Sequence, residues 1–205
     1  MHDAEPLKPS NTGWLIADVV RDTFAFEWHR TEWPPALLAL LQDPQWQPYV
    51  VFPGEYADAD RTVLHTFATT STSPASPKSP TRRPLLILLD ATWSEARKMF
   101  RKSPYLDGFP VLSLQPEHIG RYRLRRAKRE DHFCTSEVAA LCLQLSTDAQ
   151  DLRAGQVLEQ YLEVYTHHYL QAKSQRPADW QGIEHQQLRA ALDGMPAAAA
   201  QASGG

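Results

Sequence analysis

Leu85-Leu86-Ile87-Leu88-Leu89-Asp90-Ala91-Thr92-Trp93-Ser94-Glu95-Ala96-Arg97-Lys98-Met99-Phe100-Arg101-Lys102 is the stretch that decides the fold class. Five consecutive aliphatic residues run directly into an amphipathic segment, the pattern of a strand buried on both faces that hands over to a helix. In the helical part Ala96, Met99 and Phe100 share one face, Glu95, Lys98, Arg101 and Lys102 share the other, and Pro104 stops it. Thr92 and Glu95 have capping-box spacing, in which each satisfies the other's backbone donor at the helix start. Asp90 falls where the strand ends. A carboxylate there serves either as a cap or as a site residue, and Trp93 serves either as core or as an aromatic wall of a site.

Working outward, strand patterns occupy residues 23–28, 49–52 and 110–114, with a weaker one at 121–125. Helical patterns occupy 35–42, 92–102, 135–145 and 155–173, the last with Leu158, Tyr161, Leu162 and Tyr165 on one stripe. Alternating strands and helices with near-continuous apolar strands predict an α/β fold around a mainly parallel sheet, with helices on both faces. Such sheets bind ligands beyond the carboxyl ends of their strands. Three loops qualify: Phe52-Pro53-Gly54, Asp90 to Trp93, and Cys134-Thr135-Ser136-Glu137. In the third, Thr135 or Ser136 is the expected N-cap, and Glu137 is favourable against the helix dipole.

With 205 residues and 23.2 kDa, the chain suits a single domain, expected over 1–175. Residues 69–84 hold eight Ser or Thr and four Pro, a composition that predicts a flexible insertion. Residues 176–205 are expected to form a partly disordered C-terminal extension. No apolar run approaches the roughly 20 residues of a membrane span, and the first residues lack a secretory signal pattern. A cytoplasmic protein is expected, with no membrane partner. Cys134 and Cys142, too few for a disulfide framework, read as reduced packing thiols. Walker-type and G-x-S-x-G motifs are absent.

The net charge is −3, yet ten basic residues lie between 97 and 129 against two acids, Asp107 and Glu117. That window carries +8 and the remainder −11, a distribution suited to phosphates. Solvated faces that happen to be neighbours in sequence are the plainer explanation of the same residues.

Asp90-Ala91-Thr92-Trp93 resembles the D-x-T-W signature of the DTW-domain proteins. Pro9-Ser10-Asn11-Thr12-Gly13, Phe52-Pro53-Gly54, Arg97-Lys98-Met99, Ser103-Pro104, Tyr122-Arg123-Leu124-Arg125 and Thr135-Ser136-Glu137-Val138 follow in family order, so the resemblance covers about residues 3–175. Within the family the chain is similar to the bacterial tRNA-uridine aminocarboxypropyltransferases, which move the 3-amino-3-carboxypropyl group of S-adenosylmethionine onto uridine N3 in the tRNA variable loop. The resemblance implies a SPOUT-like fold with a C-terminal trefoil knot. It also places Phe52, Pro53, Gly54, Asp90, Thr135, Ser136 and Glu137 around S-adenosylmethionine. Many family members carry an N-terminal cysteine-rich zinc ribbon. This chain has no cysteine before Cys134, and no metal is expected in it.

On this reading Asp90, Thr92 and Trp93 are the expected catalytic residues. Uridine N3 is a poor nucleophile until its imide proton leaves, so a base is needed, and Asp90 is expected to be it or to hold the donor's ammonium group. Trp93 is expected to stack on the target base or the adenine, or to pack. Arg97, Lys98, Arg101, Lys102, Arg123 and Arg125 are expected to bind tRNA. Two other functions share these residues: a SPOUT-type RNA methyltransferase and a noncatalytic RNA-binding module. A monomer and a homodimer are both compatible with the sequence.

Overall fold

A computed structural model describes residues 11–67, 82–114 and 133–193. In chain order the elements are α1 (Gly13–Val19), α2 (Pro35–Gln42), β1 (Trp46–Val51), a 3-10 turn (Gly54–Tyr56), β2 (Val63–Leu64), β3 (Arg83–Ile87) and α3 (Trp93–Arg101). A second 3-10 turn (Pro104–Leu106), β4 (Val111–Leu112), α4 (Thr135–Leu143), α5 (Ala149–Lys173) and α6 (Ile183–Asp193) complete it.

The strands form one parallel sheet in the order β2-β4-β1-β3. Their period of two sorts the side chains cleanly between the faces. Val50, Phe52, Val111, Val63, Leu85 and Ile87 join Leu41 of α2 with Ala96 and Phe100 of α3 on one side. Tyr49, Val51, Leu112, Leu64 and Leu86 join Val138 and Cys142 of α4 on the other. Beyond α4 a further layer packs Leu15 and Ile16 of α1 against Ala139 and Ala140 of α4 and Leu158 and Leu162 of α5. Close approach of α4 and α5 depends on Gly155, where a Cβ would stand 3.2 Å from the Ala140 carbonyl. The mixed α/β architecture, parallel sheet and two covered faces agree with the sequence.

Several boundaries differ. Residues 23–28 form no strand. They make an extended strap past β3, the edge strand, pinned by the Asp22–Arg83 ion pair (3.0 Å) and by Trp28 Nε1 donating to Ser103 Oγ (2.9 Å). Side-chain anchors replace the expected ladder. β3 begins at Arg83, inside the stretch read as insertion, because Trp46 pairs with Arg83 and its ring lies under that guanidinium at 4.7 Å. Ladder pairing of β3 ends at Val50 and Ile87, so Leu88, Leu89 and Asp90 continue as loop. α5 starts six residues before the expected residue 155, at the Asp148 cap, which accepts from the Gln150 (2.7 Å) and Asp151 (3.2 Å) amides. Within the expected C-terminal extension, α6 packs on α5, where His168 and His185 meet at 2.7 Å. The remainder of the insertion, the weak strand at 121–125 and the final residues lie outside the described residues, as do Pro9 and Ser10.

Candidate functional site

The carboxyl ends of β1, β3 and β4 open into a cavity of about 360 Å³, within the range of small-ligand pockets, about 300–1,000 Å³. Phe52 and Pro53 follow β1, Leu88 and Leu89 follow β3, Leu114 follows β4, and Trp93, Thr135 and Val138 close the sides. Each of the three loops singled out in the sequence therefore contributes to this cavity, through Phe52 and Pro53, Trp93, and Thr135, while Gly54, Asp90, Ser136 and Glu137 do not line it.

The aromatic side is built on α3. Phe52 is stacked on Phe100 (4.4 Å, 12°) and on Trp93 (5.4 Å, 11°). Trp93 and Phe100 are seven positions apart, roughly 10.5 Å along a helix, so Phe52 sits between them. The stack runs from core to rim, where Trp93 is 36% exposed. Tyr56 meets both Phe52 and Trp93 edge-on, at 5.6 and 5.7 Å, and carries the Arg97 guanidinium over its own ring at 4.7 Å. Gly54 donates its amide to Ser113 Oγ at 3.0 Å. A Cβ on Gly54 would stand 2.7 Å from Val63, so only glycine lets this turn lie against β2.

The polar side is a buried clasp. Five of the seven buried polar side chains among the described residues gather here: Asn11, Thr12, Asp90, Ser136 and Glu137. Asp90 accepts from Asn11 Nδ2 on Oδ2 (3.0 Å) and from Thr135 Oγ1 on Oδ1 (2.6 Å). Asn11 Oδ1 in turn accepts the Gly13 amide at 2.7 Å. The Ser136 hydroxyl donates to the Thr12 carbonyl, and the Ser136 amide reaches Thr12 Oγ1 at 3.4 Å. The N-cap of α4 is Cys134, not Thr135 or Ser136, with Glu137 Oε2 accepting the Cys134 amide at 2.6 Å. Because the cap is filled one residue earlier, both hydroxyls are released for tertiary bonds. Burial, then the Glu137 charge, pushes the Cys134 thiol up to about 11.

Thr135 lines both the main cavity and a second one of about 270 Å³ under the strap, whereas Asp90, behind it, lines only the second. Thr92 lies off both, its hydroxyl and amide engaged by Glu95 in the capping box. Lys98 Nζ lies 6.0 Å from the Trp28 ring, Arg101 Nε reaches the Arg97 carbonyl at 3.4 Å, and Lys102 ends α3 in solvent. Arg123 and Arg125 lie outside the described residues.

Sequence reasoning gave no role to Asn11, Thr12 or Tyr56. Asn11 and Thr12 entered only through the family resemblance and Tyr56 not at all; their partners lie 79, 124 and 37 positions away in Asp90, Ser136 and Trp93. Among the described residues no three His, Cys, Asp or Glu side chains could hold a metal ion, and no helix is long and apolar enough to cross a membrane. A family model described as DTW domain matches residues 1–170. No solved structure matches the chain.

Proposed function

The chain belongs to the DTW-domain family, a membership consistent with tRNA-modifying activity, and on that premise we propose that it is a tRNA-uridine aminocarboxypropyltransferase. It takes S-adenosylmethionine as donor and uridine N3 in the tRNA variable loop as acceptor, working in the cytoplasm. The observation that carries this reading is the 360 Å³ cavity at the strand ends, walled by Phe52, Trp93 and Thr135 with Asp90 directly behind. Its apolar surfaces suit an adenine, and the buried Asp90 carboxylate behind Thr135 suits a cationic sulfonium and ammonium nearby. A SPOUT-like arrangement with the chain knotted around the cofactor loops is part of the proposal, supported by the parallel sheet and the position of the cavity.

S-adenosylmethionine supplies a carbon made electrophilic by the adjacent sulfonium. The cavity walls orient it, so that the methionine-derived carbon rather than the methyl faces the nucleophile. N3 attacks as its imide proton leaves to a base; the N–C bond forms, the C–S bond breaks, and methylthioadenosine departs. Both Asp90 oxygens already accept hydrogen bonds, and Thr135 stands between Asp90 and the cavity. This supports Asp90 as the group that holds Thr135 in place on the donor side of the pocket, over Asp90 as the base. Asp90→Asn distinguishes the two: weakened donor binding with residual turnover fits holding, whereas intact binding with turnover abolished fits the base.

The test of the reaction uses unmodified tRNA and S-adenosylmethionine labelled either in the carboxyl group or in the methyl. Carboxyl label alone in the RNA supports aminocarboxypropyl transfer. Methyl label alone would replace the proposal with a methyltransferase, and tRNA binding with neither label, under conditions where the donor does not bind, would replace it with a noncatalytic RNA-binding module.

A further inference from the structure

The outer face of α3 runs away from the cavity mouth. It carries exposed Lys98, Arg101 and Lys102 over about 6 Å, at 1.5 Å per residue. At its far end this face meets aromatic groups that the reaction does not use. The Trp28 ring lies under Lys98 at 6.0 Å, and its Nε1 is tied to Ser103, directly after Lys102. Two residues further on, Tyr105 holds Trp33 at 5.3 Å and 46°, leaving Trp33 42% exposed. Between the two indoles, past the strap, the chain exposes Arg30 and the acid Glu32, while Glu27, just before Trp28, faces His29 at 3.6 Å. Cations in a row with an exposed indole at the end match the chemistry of unpaired nucleotides: phosphates follow the charges and bases stack on the ring. A duplex, whose bases are already stacked, offers Trp33 nothing.

We propose that residues 28–33 and the outer face of α3 together form a platform for single-stranded RNA, with Trp33 as the stacking surface for a base remote from the one modified. The proposal rests on the RNA reading above and deepens it, giving the protein a grip on unpaired nucleotides away from the reacting uridine.

The experiment measures fluorescence anisotropy of a labelled oligouridylate and of a duplex RNA of equal length with the full chain and no donor, so a failed transfer reaction leaves its result intact. Preference for the single strand is expected. Trp33→Ala should weaken single-strand binding about tenfold without changing its salt slope, because stacking releases no counterions, whereas Lys102→Ala should lower the slope by about 0.7. Because Trp33 also packs on Tyr105, Trp33→Phe provides the control: it keeps a ring there and should bind within about threefold of the parent. Equal affinity for duplex, or single-strand binding unaffected by Trp33→Ala, overturns the proposal; so does Trp33→Phe losing as much as Trp33→Ala.

Discussion

Replacing Thr135 by valine tests the clasp directly. Valine has nearly the shape of threonine and similar helix propensity, so the substitution removes little beyond the hydroxyl that donates to Asp90 Oδ1 at 2.6 Å. Asp90 is 8% exposed, and its other oxygen is served by Asn11 at 3.0 Å. The variant thus leaves a buried carboxylate with one of these two donors gone. Hydrogen bonds to charged groups contribute about 1.5–3 kcal/mol, so a loss near 2 kcal/mol is expected. For a chain of this size that corresponds to about 4–8 °C in Tm. Urea unfolding followed by circular dichroism should show the midpoint falling with its slope unchanged. Thr135→Ser keeps the hydroxyl and should recover most of the difference. A double-mutant cycle with Asp90→Asn should give a coupling of at least about 1 kcal/mol. If Thr135→Val stays within about 0.5 kcal/mol of the parent, an effect ordinary for a site away from such features, the clasp is not what holds Asp90.

Gly13→Ala would put a Cβ 2.8 Å from Asp90 Oδ2 and 3.2 Å from Asn11 Oδ1, costing about 1–3 kcal/mol as overpacking; unfolding at parental denaturant concentration would contradict the geometry. Trp93→Ala removes the rim of the three-ring stack and should cost on the order of 2 kcal/mol, while titration calorimetry with S-adenosylmethionine should show at least tenfold weaker binding; unchanged affinity would remove Trp93 from the site. Burial holds the Cys142 thiol at about 12 and, with Glu137, Cys134 at about 11, against an ordinary 9.0. The native chain therefore keeps protons that the unfolded chain releases, and this contribution to stability is complete below pH 9 and lost as pH rises towards 11–12. Iodoacetamide at pH 8 should alkylate both thiols only after denaturant is added; rapid native labelling would contradict it.

The strand-to-helix stretch at 85–102 was legible because burial on both faces and helical periodicity leave strong local patterns. Ala96, Met99 and Phe100 occupy the core as that periodicity requires. The strap departs from its sequence pattern for a related reason: Phe24, Phe26 and Trp28 alternate as in a strand, but ladder pairing depends on a neighbour that the local pattern does not encode. The site loops were visible as strand ends, yet the division of labour within them was not. Whether Thr135 caps its own helix or bonds to Asp90 depends on Cys134 filling the cap first. Likewise, the use of Asn11 is decided 79 residues away.

That separation affects how the molecule is made. The clasp joins positions 45, 79 and 124 residues apart, and each such closure must overcome chain entropy before its bonds repay it. Local elements such as α3 and the α4–α5 pair can form early, whereas the clasp exists only once the amino-terminal segment has met residues from the last third of the domain. A nascent chain on the ribosome would thus have no clasp behind its strand-end cavity until nearly the whole domain had emerged, and amide exchange at Ser136 should report global rather than local opening.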